Sequence, residues 1–129
     1  MTTEHETCVF CSLPNKGIVC ENPMAVAVLD ASPVTELHTL IIPRRHVVSY
    51  FDLDDDERSA CHALLHKARA VLLQRDPSID GFNIGINIGT AAGQTVAHCH
   101  IHLIPRRKGD VADPRGGVRH TIPGKGYYR

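Results

Sequence analysis

The sequence predicts an α+β domain: several short strands and one long helix in a chain of 129 residues. Three observations carry this. Asp54–Asp76 repeats apolar residues at helical spacing. Other segments are short apolar or β-branched runs closed by proline, glycine or aspartate. Residues 98–107, His-Cys-His-Ile-His-Leu-Ile-Pro-Arg-Arg, alternate with the period of a strand.

Met24–Leu29 is an apolar run between Pro23 and Asp30 and reads as a strand. Asp30–Leu37, with Ser32-Pro33, reads as a loop, and Thr39–Ile42, closed by Pro43, as a second strand. In the helix Asp54–Asp76, Asp54 caps the start and Glu57 completes a capping box. Cys61, Leu64, Leu65, Ala68, Val71 and Leu72 form its buried stripe, and Asp76-Pro77 ends it. Phe82–Ile88 alternates apolar with small or polar residues, as a half-buried strand would. Residues 89–95, Gly-Thr-Ala-Ala-Gly-Gln-Thr, form a small-residue loop leading into the histidine strand. From Lys108 onward glycine, proline and charge predict an irregular tail.

Composition bounds the class. Apolar content of 43% and charged content of 22% are those of a soluble globular chain, and length predicts one domain, 1–129, with its core at 8–107 and a tail at 108–129. Formal net charge is zero, which gives no argument for nucleic acid or an anionic membrane as partner. No apolar run approaches the ~20 residues of a membrane helix. The opening Met-Thr-Thr-Glu-His-Glu lacks the basic-then-apolar pattern of a secretory signal. With five cysteines, an odd number, the expectation is reduced thiols in the cytoplasm.

The chemistry concentrates at His98, His100 and His102. Residues two apart on a strand share a face, so three imidazoles line one face while Cys99, Ile101 and Leu103 point to the core. Imidazole is at once a nucleophile, a proton carrier near neutral pH and a metal ligand. Gly89 and Gly93 let backbone amides approach a ligand, and Gln94 and Thr95 add neutral donors, so the preceding loop suits an anion. A nucleophilic imidazole beside phosphate donors suggests phosphoryl or nucleotidyl transfer through a covalent histidine intermediate. Cys8-x-x-Cys11 has zinc-ligand spacing but is half a site; a redox pair and two ordinary cysteines are the alternatives. Arg44-Arg45 reads as a solvated strand end, and His46 as a possible zinc ligand.

His98-Cys99-His100-Ile101-His102-Leu103-Ile104 fits the His-φ-His-φ-His-φ-φ signature of the histidine triad superfamily, where φ is apolar. Leu29-Asp30-x-Ser32-Pro33, His38-Thr-Leu-Ile-Ile-Pro43 with Arg-Arg-His46, and Asn87-Ile-Gly89 with Gly93-Gln94-Thr95-Val96 extend the resemblance over roughly residues 8 to 107. Within the superfamily the chain resembles bacterial members related to the dinucleoside polyphosphate hydrolase branch. The resemblance implies a five-stranded antiparallel sheet with one long helix, and a two-fold homodimer joined edge to edge. It implies a nucleotide hydrolase or transferase acting on adenylyl conjugates; phosphorylase and phosphoramidase variants belong to the same class. His100 takes the nucleophile's position, and His102 that of the histidine that contacts phosphate and helps protonate the leaving group. Asp30 takes the position of the ribose-binding acid. Asn87, Gly93, Gln94 and Thr95 match the phosphate contacts, and His38 matches a buried histidine behind the triad. Cys8, Cys11, His46 and His98 match a structural zinc site. The resemblance implies no organic cofactor, a small-molecule nucleotide partner, and neither nucleic acid nor membrane. The tail from Gly109 to Arg129 is expected to cross to the partner, with Arg115 or Arg119 meeting phosphate. Leu37 departs from the family, many of whose members have glycine there. Two other readings stay open: a hydrolase whose three histidines hold a catalytic zinc, and a nucleotide-binding regulatory module with little turnover.

Overall fold

A computed structural model describes residues 8–13 and 17–128; Met1–Glu6, read above for a signal, and Arg129 lie outside them. Five strands, β1 (Ile18–Glu21), β2 (Ala25–Leu29), β3 (Thr39–Pro43), β4 (Gly81–Gly85) and β5 (Ile101–Arg106), form one sheet in the order β1-β2-β3-β5-β4. Every neighbouring pair is antiparallel. The helix, α1 (Asp55–Arg75), lies between β3 and β4 in the chain. No helix among the described residues is long and apolar enough to cross a membrane.

The sheet buries both faces at its centre, which is why β2 (Ala-Val-Ala-Val-Leu) and β3 (Thr-Leu-Ile-Ile-Pro) read as continuous apolar runs rather than alternations. On one face Ala25, Ala27, Ile41, Ile101 and Leu103 meet the helix stripe Cys61, Leu64, Ala68 and Leu72. On the other, Val26, Val28, Leu40 and Ile42 are covered by Phe10, Leu13 and Ile18. The helix start follows its sequence. Asp54 accepts from the Glu57 amide at 2.8 Å, and the Glu57 carboxylate accepts from the Asp54 amide at 3.0 Å.

Five details depart from the sequence reading or add to it. β1, Ile-Val-Cys-Glu, was not predicted; its signal is a β-branched pair between Gly17 and Asn22-Pro23. β4 stops at Gly85 instead of continuing to Ile88, because an edge strand keeps its ladder only as long as β5 faces it. β5 begins at Ile101, so His98 and His100 precede the ladder; the Cys99 amide instead donates to the Val47 carbonyl at 2.6 Å. Arg45 is exposed, as read, and is also paired. Its guanidinium grips Glu57 with two bonds of 2.7 and 2.9 Å, and Glu57 is only 2% exposed. Arg44 pairs with Glu21 at 3.0 Å. The tail holds a 3₁₀ turn, Gly117–Thr121, that packs on β4. There Arg115 pairs with Asp113 at 2.9 Å, and Arg119 donates to the Gly126 carbonyl at 2.9 Å while facing the Tyr128 ring.

Candidate active site

His98, His100 and His102 enter three different environments, and in each the partner fixes which ring nitrogen carries the proton. A carbonyl oxygen or a thiolate accepts; an amide N–H donates. His98 Nε2 lies 2.7 Å from the Pro43 carbonyl and so donates to it. That leaves the Nδ1 lone pair, which lies 3.3 Å from Cys8 Sγ and 3.5 Å from Cys11 Sγ. His100 Nδ1 lies 2.8 Å from the His98 carbonyl and must also donate. Its lone pair is then on Nε2, and His100 lines the cavity described below.

His102 is set by a longer chain. The Val34 amide donates to His38 Nδ1 at 3.1 Å, so the proton of a neutral His38 sits on Nε2. His38 Nε2 is 3.0 Å from His102 Nδ1 and donates to it. A neutral His102 therefore carries its proton on Nε2. Burial lowers the pKa of both rings; for His102 the neighbouring His100 and His38 lower it further, and Asp30 partly opposes the shift in each. The Asp30 carboxylate stands 3.6 Å from His38 Nε2 and is 20% exposed. Its other oxygen accepts from the Ser32 amide at 2.8 Å.

The cavity of about 660 Å³ in front of these rings is within the usual size of a small-molecule site. Its walls combine an apolar side (Phe10, Leu13, Val28, Leu40) with a polar side that includes Asp30, Asn87, Thr95, His100 and His102, and Gly93 lies on the rim. Gly93 has φ 93° and Gly89 φ 90°, a conformation L residues resist. A Cβ at either would meet no protein atom within 4 Å, so it is the backbone angle that calls for glycine there.

Gln94 holds a different position from the one its sequence suggests. It is buried, and its Nε2 donates to the Val48 and Val96 carbonyls at 2.8 and 3.1 Å while its Oε1 accepts from Gly89 at 2.9 Å. The side chain braces the loop and leaves the cavity wall to its neighbours. The sequence reading missed the apolar wall, of which Phe10 is the aromatic member. Phe10 has no reactive atom, and its one signal is its place inside Cys8-x-x-Cys11. Leu37 has φ 69°, which accounts for glycine being common there in the family. Here a leucine bears the left-handed geometry, its side chain packed on the core.

The candidate metal centre is Cys8, Cys11, His46 and His98, whose ligand atoms all lie within 4.8 Å of one another. Cys11 Sγ is 3.2 Å from His46 Nδ1. A tetrahedron with zinc–sulfur bonds of ~2.3 Å and zinc–nitrogen bonds of ~2.0 Å has edges of about 3.3–3.8 Å. The sulfur–nitrogen separations of 3.2–3.5 Å lie at the short end of that range or within about 0.1 Å of it, and His98 already donates its far nitrogen to a carbonyl, as metal-bound histidines do. Asp30, His38 and His102 also cluster, but there the nitrogen nearest the other ring carries a proton and has no lone pair for a metal. The remaining cysteines, Cys20, Cys61 and Cys99, are buried, and all five thiols are free. Burial pushes Cys61 up to about 11 and Cys99 up to about 12, as befits inert core thiols.

The family model described as HIT domain matches residues 14–109. A 16.1 kDa HIT-like protein of Mycoplasma pneumoniae is 40% identical over 106 residues, covering 79% of this chain and 73% of its own. An adenylylsulfatase of Arabidopsis thaliana is 34% identical over 115 residues, 84% of this chain and 57% of its own. Among solved structures, a zinc-bound histidine triad family protein from Mycobacterium smegmatis superposes with a TM-score of 0.72 at 36% identity, covering 84% of this chain and 81% of that one. The diadenosine triphosphate hydrolase of Plasmodium falciparum, solved with cyclomarin A, gives a TM-score of 0.71 at 27% identity, covering 78% and 68%.

Proposed function

The chain belongs to the HIT domain family, a superfamily of nucleotide-binding hydrolases and transferases, and from that membership we propose that it cleaves adenylyl conjugates at the α-phosphate through a nucleotidyl-His100 intermediate. The observation that carries this reading is the tautomer of His100. The His98 carbonyl takes the proton on Nδ1, and the unprotonated Nε2 belongs to a ring that lines the nucleotide-sized cavity. An imidazole in that state is a nucleophile without prior deprotonation.

In the first step His100 Nε2 bonds to the α-phosphorus and the bond from phosphorus to the leaving group breaks. The leaving group departs with the electron pair. His102, neutral with its proton on Nε2, donates a hydrogen bond to that developing charge. Asn87, Thr95 and the backbone at Gly93 supply further donors for the phosphate, and Asp30 accepts from the ribose. In the second step the oxygen of water, or of another acceptor, bonds to the same phosphorus. The bond from phosphorus to His100 Nε2 breaks with its electron pair returning to the ring, and the proton lost by the acceptor passes to solvent. The names adenylylsulfatase and diadenosine triphosphate hydrolase among the relatives support an adenosine nucleotide as substrate.

The metal, proposed as zinc, closes Cys8, Cys11, His46 and His98 into a structural site. With four protein ligands it supplies rigidity and no open position for substrate. The three-histidine catalytic zinc is less well supported, because the three rings point their lone pairs and protons at separate partners. We also propose a two-fold dimer: β4 is an edge strand and its Ile84 is 53% exposed. A monomeric mass by light scattering at micromolar concentration would refute it.

The decisive experiment is single-turnover trapping with a radiolabelled adenylyl substrate. Label should appear on the wild-type protein at His100, and not on His100→Ala. The variant should lose turnover by several orders of magnitude and keep most of its AMP affinity, since the other cavity walls remain. Tight AMP binding with neither adduct nor turnover would instead establish the regulatory module.

A further inference from the structure

The segment that carries the two cysteines also builds the cavity. Cys8 and Cys11 turn their sulfurs toward His98 and His46, while Val9 and Phe10 between them line the nucleotide cleft. Phe10 sets its ring edge-on to His100, with centroids 4.9 Å apart at 73°, and lies 6.1 Å from the His98 ring. Together with Leu13 it also covers Val26, Val28, Leu40 and Ile42 on the cleft face of the sheet.

Residues 8–13 belong to no strand or helix. Among the described residues their backbone hydrogen bond, Cys11 amide to Cys8 carbonyl at 3.2 Å, is internal to the turn. Side chains therefore fasten this segment to the sheet: two sulfurs on one side and the Phe10–Leu13 contact on the other. The same turn presents ligand atoms to a metal and apolar surface to a nucleotide.

We propose that the metal centre is the fastening of this cleft wall, so that metal occupancy sets nucleotide affinity through Phe10. The inference rests on the nucleotide and metal readings above. With the metal bound, Val9 and Phe10 are held over the cavity and Phe10 against the nucleophile's ring. Without it the described residues of the turn are left with the apolar contacts of Phe10 and Leu13, and a nucleotide must order the wall as it binds. Coupling between two sites is reciprocal: whatever factor the metal adds to nucleotide affinity, the nucleotide adds to metal affinity.

The test uses AMP and zinc on the full chain, with binding as the readout. Calorimetry should show AMP binding on the order of tenfold weaker to chelator-stripped protein than to zinc-loaded protein, within the ~5–150-fold usual for coupled sites. Competition against a zinc chelator should show zinc held tighter by the same factor in saturating AMP. In Phe10→Ala, which keeps all four ligands, AMP should bind weakly with or without zinc, and the zinc shift should vanish. Should the stripped chain lose its circular dichroism signal, Cys8→Ser replaces it in the calorimetry, and the zinc competition in wild type against Phe10→Ala decides. Equal AMP affinity in the loaded and metal-depleted folded proteins overturns the proposal. So does coupling that persists undiminished in Phe10→Ala, since the link would then bypass this wall. Failure of AMP to bind even the zinc-loaded protein overturns the nucleotide reading itself, and this inference falls with it.

Discussion

The two ends of the histidine row, His98 and His102, are the same side chain four residues apart, and they are wired in opposite senses. At His98 a backbone carbonyl takes the Nε2 proton, so a lone pair faces two sulfurs. At His102 a donor chain that starts from the Val34 amide fills Nδ1, so an N–H is left for the cavity. One end is built to hold a cation and the other to meet an anion. What decides is the nature of the group behind the ring, acceptor or donor, and that group comes from elsewhere in the chain: Pro43 for one, Val34 through His38 for the other. His100 between them is set by the main chain of the row itself.

The sharpest way to break the contrast is at the His102 end. His102→Ala removes the N–H offered to the departing charge, and loss of one such donor costs ~10²–10³ in kcat. His38→Ala leaves His102 in place but without the donor that fixes its tautomer. The proton can then move to Nδ1, and kcat should fall on the order of tenfold with KM little changed. Nitrogen-15 chemical shifts report the tautomer directly. Full activity in His38→Ala with His102 still protonated on Nε2 would show that the Val34–His38 chain is dispensable.

The effect at the His98 end should be smaller on turnover and larger on stability. Cys8→Ser removes one of four ligands. Phe10 and Leu13 of the same turn cover Val26, Val28, Leu40 and Ile42, but the helix-side core has no residue from it, so the loss should be far below the ~10 kcal/mol of peptides that fold only around zinc. A loss of about 2 kcal/mol would lower Tm by roughly 8 °C. Zinc content by elemental analysis should drop, KM should rise, and kcat should survive. Complete loss of activity on chelation, with the fold intact, would point to a catalytic metal instead.

How far this wiring was legible in the sequence follows from separation along the chain. The capping box at Asp54 and Glu57 is local and appears as read, as do Cys61, Leu64, Ala68 and Leu72 of the helix stripe; Leu65 and Val71 are only half-buried, and His98 and His100 lie ahead of β5. The family resemblance brought His38, His46 and Asp30 to the triad, and the structure places all three there. What escaped was set by distant partners. Arg45 is the surface charge it looks like, but its partner Glu57, twelve residues on and buried, was not foreseen. Gln94 looks like a phosphate donor until Val48, 46 residues away, claims its amide. Phe10 is an unremarkable aromatic until the sheet face of Val28 and Leu40 comes up against it. Leu37 shows the converse. Its departure from glycine was visible in the sequence, but only the backbone reveals that it occupies a left-handed position costing about 1 kcal/mol or more.

The smallest expected effect is a pH dependence that again separates the two ends. His38 is buried and His102 half-buried, and their pKa values lie below the usual 6.5, chiefly through desolvation; Asp30 opposes the shift in both, while His100 and His38 add to it for His102. The geometry gives the same sign. A proton added to His102 Nδ1 would point at the proton on His38 Nε2, and one added to His38 Nδ1 would point at the Val34 amide. The fold therefore favours both rings neutral. Below about pH 6.5 the unfolded chain takes up protons that the folded chain refuses, so stability is full above that pH and is lost as pH falls through the lowered folded values. Acid also releases a metal from thiolates and imidazoles, so the wild-type curve alone mixes the two ends. His102→Gln separates them. It keeps an acceptor for His38 and leaves the metal ligands untouched. Urea midpoints between pH 7.5 and 5.5 should fall less steeply in His102→Gln than in wild type, whether zinc is present or removed. Parallel curves would mean that His102 titrates alike in the folded and unfolded chains, and that the donor chain from Val34 does not hold it neutral.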